Sequence, residues 1–78
     1  MKHNALGPRQ RLMLQLLQET DLRTAREIAP ILMPDQEPGQ AVVQTHRTAL
    51  TLEDHGLVET RGQSYRITDA GREKLKSV

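Results

Sequence analysis

Across "LEDHGLVETRGQSYRIT", residues 52–68, the apolar spacing drops from that of a helix to the two-residue period of a strand, and Gly56 stands at the change. Just past a helix end a glycine takes a left-handed backbone that other residues resist, so Gly56 is expected to terminate a helix. "LVET" and "YRIT" then alternate apolar with polar, and "RGQS" between them supplies the glycine a tight turn needs. This predicts a β-hairpin over 57–68, set directly after a helix.

The rest of the chain carries the helical period. Gly7-Pro8 marks a helix start, because proline at the first helical position loses no hydrogen bond. From Arg9 to Glu19, Leu12, Met13, Leu16 and Leu17 form one apolar stripe, with Arg9, Arg11, Gln15 and Gln18 opposite. Asp21-Leu22-Arg23 interrupts the pattern and leaves room for a one-residue strand pairing at Leu22. "TARE", residues 24–27, has the form of a capping box, in which Thr24 and Glu27 each satisfy a backbone N–H of the other. It opens a second helix that runs to about Leu32 and buries Ile28, Ile31 and Leu32; Pro30 inside it predicts a short or bent helix. "MPDQEPGQ", residues 33–40, has the prolines and glycine of a loop. A third helix is expected from about Gln40 to His55, with Val42, Thr45, Ala49 and Leu52 inward. Its outer side or edge carries Val43, Gln44, His46, Arg47 and Leu50. "TDAGREKLKSV" predicts a short closing helix, opened by a Thr/Asp cap and ending in lysines that suit its C-terminus. The fold class is α+β: mainly helical with a small hairpin, in a single domain over 1–78 whose residues 1–7 form a disordered arm.

Composition narrows the function. There is no cysteine, so disulfides and thiolate metal sites are excluded, and His3, His46 and His55 are too scattered for a metal cluster. The apolar runs are too short to span a membrane, the N-terminal residues lack a signal peptide's long apolar core, and a cytoplasmic protein is expected. Tyr65 is the only aromatic side chain among Phe, Trp and Tyr. The core is therefore aliphatic, and stacking on single-stranded bases is disfavoured. Net charge is +1, but it is unevenly placed. Residues 1–26 carry five Lys or Arg against two acids, 27–60 one against six, and 61–78 five against two. No catalytic dyad, phosphate loop or metal set is visible, so neither an enzyme nor a cofactor is expected.

Three stretches, "TAREIAPIL", "QTHRTALTLEDHGLVET" and "YRITDAGREKL", resemble the winged helix-turn-helix domains of bacterial transcriptional regulators over nearly the whole chain. The likeness extends to the DNA-binding half of ferric-uptake-regulator proteins. In that family the third helix carries Thr-Val-Tyr-Arg; here "QTHR" stands in its place, so Arg47 matches and His46 replaces the tyrosine. The resemblance covers only the DNA-binding half of that family, so metal sensing is not expected to carry over. The resemblance implies three helices, a two-stranded wing and a short C-terminal helix. The third helix would enter the major groove of double-stranded DNA while the wing contacts backbone or minor groove.

On that reading the DNA-contacting candidates are Gln40, Val43, Gln44, His46, Arg47 and Leu50 on the third helix, with Arg61, Gln63 and Arg66 on the hairpin. The outward face from Gln40 to Thr51 holds no acid, which favours a polyanionic partner. Lys2, Arg9 and Arg11, and Arg72, Lys74 and Lys76, would flank the groove at phosphate. A homodimer is expected, through the first helix with the N-terminal arm or through the last helix. The alternative is a winged helix used as a protein-interaction module, docking through Val43 and Leu50 with its acidic loop. Plain solvated surface is an equal reading for Gln44, His46, Arg61 and Arg66.

Overall fold

The structure is a computed structural model that describes residues 6–19 and 23–76. In chain order it comprises α1 (Pro8–Glu19), β1 (Arg23–Thr24), α2 (Ala25–Leu32), α3 (Pro38–Asp54), β2 (Val58–Arg61), β3 (Ser64–Ile67) and α4 (Asp69–Lys76). The three strands form one antiparallel sheet in the order β1-β3-β2. β3 is central: Tyr65 is paired with both Arg23 and Thr60, and Ser64 with both Thr24 and Arg61. The pairing expected at Leu22 lies outside the described residues; the strand itself occupies the two residues that follow. Among the described residues no helix is long and apolar enough to cross a membrane.

The inward faces are rotated slightly from the expected ones. In α1 the fully buried residues are Met13, Leu14 and Leu17, while Leu12 and Leu16 are only half-buried. This helix packs against α2, α3, β3 and α4 at once, and the centre of that contact falls one residue from the stripe drawn from spacing alone. In α2 Ile28, Ala29 and Leu32 are buried, whereas Ile31, expected inside, is 47% exposed. Small Ala29 lets α2 lie against its neighbours, and Pro30 and Ile31 share the outer side. The helix is short, at eight residues, with Pro30 within it. In α3 Ala41, Thr45, Ala49 and Leu52 are buried and Val42 is half-buried. This helix starts at Pro38, earlier than expected, because a proline at the first position needs no N–H partner.

Local chemistry explains the boundaries. Thr24 Oγ1 accepts the Glu27 N–H at 3.2 Å and the Glu27 carboxylate accepts the Thr24 N–H at 2.9 Å, completing the capping box. At the end of α3 the Leu57 N–H reaches the Leu52 carbonyl and the Gly56 N–H the Glu53 carbonyl, both at 2.9 Å. Those two bonds make a Schellman motif, with Gly56 at φ 74° and the buried pair Leu52–Leu57 as its apolar contact. The hairpin leaving this corner turns at Gly62-Gln63 and returns to it. There the Thr68 N–H bonds the Leu57 carbonyl at 3.0 Å, and the Thr68 hydroxyl donates to the Gly56 carbonyl at 2.7 Å. The same hydroxyl accepts the Gly71 N–H at 3.1 Å, capping α4.

The core is aliphatic apart from Tyr65, as expected, and each fully buried Leu or Ile contributes about 2 kcal/mol through surface removed from water. Two positions test its packing. A methyl on buried Gly71 would collide with the Leu57 carbonyl oxygen and stand 2.7 Å from Ile67 Cγ1. That carbonyl is held by Thr68 and cannot yield, so Gly71→Ala should cost about 1–3 kcal/mol in urea unfolding. Stability within experimental error of the wild type would show that the junction gives way instead. Thr45 is fully buried, and its Oγ1 has no hydrogen-bond partner among the described residues. Replacing it by the isosteric valine removes a desolvated hydroxyl, so Thr45→Val should raise stability by about 1 kcal/mol, seen as a higher Tm; a lower Tm would contradict an orphaned hydroxyl.

Candidate functional site

Burial of Ala41, Thr45, Ala49 and Leu52 turns the opposite side of α3 to solvent. Gln40, Val43, Arg47 and Leu50 recur there at helical spacing, and all four are exposed, Val43 by 50% and Leu50 by 44%. Gln44 is half-buried and is more edge than face. Threonines on this helix bond backward: Thr48 Oγ1 to the Gln44 carbonyl at 3.0 Å and Thr51 Oγ1 to the Arg47 carbonyl at 3.1 Å. Those hydroxyl protons are thus occupied within the helix. Arg47 forms no ion pair among the described residues.

His46 belongs to a different part of the surface. Its Nδ1 lies 2.6 Å from Tyr65 Oη, joining α3 to the central strand, with the two rings tilted by 37°. Burial first, and then the charge of Glu53, pushes the Tyr65 phenol above its ordinary value, so it stays protonated at neutral pH. Beside this pair is an open cleft of about 350 Å³, lined among others by Thr24, Arg26, Val42, His46, Gln63 and Tyr65. The structure therefore brings His46 and Gln63 together at one cleft, apart from the Arg47 face.

The hairpin cations Arg61 and Arg66 are exposed and have an acidic neighbour. Glu59, Arg61, Ser64 and Arg66 share the outer side of the hairpin, since Glu59 pairs across the strands with Arg66, and Arg61 with Ser64. The Glu59 carboxylate contacts Arg61 at 3.3 Å and Arg66 at 3.9 Å, so a single acid serves both guanidinium groups. All three side chains are exposed enough for the pairs to be weak. Sequence reasoning missed Glu59 as their partner, although strict alternation puts 59 and 61 on one side of a strand. It also missed Arg26, an exposed cation that lines the cleft. The signal was available in "TARE", where Ile28 and Ala29 define the inner side of α2 and leave Arg26 outside it.

A larger groove of about 500 Å³ lies between α2, the 33–37 loop and the start of α3, lined mainly by apolar residues such as Ala29, Pro30, Met33 and Val42. It holds none of the nine candidate residues. Among the described residues no three His, Asp or Glu side chains gather as a metal site. No protein-family model, curated protein or solved structure matches the chain.

Thr24 holds one wall of the smaller cleft, and its position depends on Glu27. Backbone and then side-chain hydrogen bonds from Thr24 lower the Glu27 pKa below its ordinary 4.5. The capping contribution is therefore complete above pH 4.5 and is lost as pH falls through the lower folded value. Glu27→Gln keeps an acceptor at this position but cannot titrate. Its melting temperature should accordingly fall less steeply than that of the wild type on acidification below pH 4.5; parallel curves would deny the carboxylate this role.

Proposed function

We propose that the chain is a winged helix that binds double-stranded DNA, with α3 in the major groove and the β2–β3 hairpin as its wing. The observation that carries this reading is the exposed side of α3, acid-free from Gln40 to Thr51, with Arg47 at its middle in no ion pair among the described residues. Supporting it, the order helix, strand, helix, helix, hairpin, with β1 added to the outer edge of β3, fits the arrangement the sequence resembles. α3 has 17 residues, about 25 Å of helix, and a single helix fits the roughly 12 Å width of the major groove. Arg47 is assigned to a base edge or phosphate, Gln40 and Gln44 to polar base edges, and Val43 and Leu50 to thymine methyl groups. Arg61, Gln63 and Arg66 are assigned to the backbone or minor groove beside it. One such domain touches few phosphates, so a homodimer spanning two half-sites, working as a small transcriptional regulator, completes the proposal.

A second reading has its own support. Val43 and Leu50, seven residues apart on one side of α3, leave an exposed apolar pair, and Glu59 offsets the hairpin cations. Both features would suit a protein partner.

Titrating labelled duplex DNA at several salt concentrations decides between them. Binding should weaken with salt by about one unit of log–log slope per phosphate neutralised. Arg47→Ala should weaken it about tenfold or more, Glu53→Ala should leave it unchanged, and Glu59→Gln should tighten it and steepen the slope by freeing Arg61 and Arg66. No binding at low salt would transfer the function to the protein-docking reading, and equal losses in Arg47→Ala and Glu53→Ala would remove α3 as the reader.

A further inference from the structure

The sequence groups His46 with the polar residues of α3, yet its contact restricts which hydrogen bond it can offer. Neutral imidazole has one N–H and one bare nitrogen, and the partner of one nitrogen decides the state of the other. At Nδ1 that partner is the Tyr65 hydroxyl, 2.6 Å away. Tyr65 is only 3% exposed, and His46 Nδ1 offers its hydroxyl proton an acceptor. When the phenol donates to Nδ1, the imidazole proton must sit on Nε2. Ring geometry turns Nε2 away from Tyr65, while His46 itself is exposed at the mouth of the cleft between α3 and the hairpin turn.

We propose that Tyr65 is a positioning residue that holds His46 as a fixed Nε2–H donor toward DNA, committing this point of the surface to a hydrogen-bond acceptor. The inference rests on the DNA-binding reading for its ligand but not for its chemistry within the protein. The acceptors of a duplex fit: purine N7, guanine O6 and thymine O4 in the major groove, and a phosphate oxygen. Each accepts from Nε2–H, whereas the exocyclic amino group of cytosine, itself a donor, is refused. The arrangement is economical in conformational terms, since the buried phenol restrains the ring before any partner arrives.

Nitrogen-15 NMR of the free protein tests the first half. The wild type should show His46 as the Nε2–H tautomer at a pH where the ring is neutral, and Tyr65→Phe should show a mixture of tautomers. A mixture or the Nδ1–H form in the wild type would overturn the inference while leaving the DNA reading intact. A double-mutant cycle tests the second half, using a fluorescent duplex of mixed sequence. Tyr65→Phe should weaken binding about threefold to tenfold, as expected for one hydrogen bond of ordinary net strength. In a His46→Ala background the same change should cost nothing further, because Tyr65 acts only through the imidazole. Equal losses in both backgrounds would overturn the positioning role and leave Tyr65 as packing alone. Replacing the purines by 7-deazapurines separates N7 from the oxygen acceptors. The His46→Ala loss should vanish on that duplex if N7 is the acceptor and persist if a base or phosphate oxygen is. Absence of any wild-type binding would overturn the DNA reading, and with it the DNA half of this inference, whatever tautomer is found.

Discussion

Thr68 is where the fold is tied together. Its N–H closes the base of the hairpin on Leu57, its hydroxyl donates to the Gly56 carbonyl at the end of α3, and the same oxygen receives the Gly71 N–H at the start of α4. Three elements thus take their relative positions from one residue. The arrangement also satisfies backbone groups that would be orphaned at a helix end, a hairpin exit and a helix start. A domain this small has little buried surface to spare, and concentrating constraints at one corner compensates for a modest core. Gly71 belongs to the same corner, because only a residue without Cβ lets α4 approach the Leu57 carbonyl.

Fixing that corner also fixes the surface. Where the hairpin leaves α3 determines that Tyr65 meets His46 and that Gln63 faces the same cleft. Electrostatics then differentiates two areas. The outer side of α3 carries Arg47 without a counter-ion among the described residues, whereas the hairpin guanidinium groups of Arg61 and Arg66 share the carboxylate of Glu59. A polyanion approaching the molecule would compete with Glu59 for the hairpin but with no described carboxylate at Arg47. In the proposed function α3 therefore supplies the ready contact, and the hairpin contributes only after its own pairs loosen.

Much of this architecture was legible in the sequence because it is set by local chemistry. Thr24 with Glu27, Gly56 before Leu57-Val58, the turn at Gly62 and the Thr68 start of α4 each announce a boundary through bonds spanning a few residues. The errors arose where distant packing decides. Leu14 outranks Leu12 and Leu16 because α1 is surrounded by four elements, and Ala29 displaces Ile31 because a small side chain permits close approach. Pro38 reads equally well as loop or as first helical turn, and the structure puts it in the turn. At the candidate site, Arg47, Val43 and Leu50 could be placed outside from periodicity. The His46–Tyr65 bond could not, since it links residues 19 positions apart on different elements.

The sparse aromatic content has one further consequence. With no tryptophan in the chain and Tyr65 its single tyrosine, ultraviolet emission from the whole protein comes from one ring. That ring is buried on the central strand and hydrogen-bonded to α3, at the seam between helix and hairpin. The molecule therefore carries a native optical probe at the contact that orients its candidate surface, and any event that parts the hairpin from α3 will register there without a label.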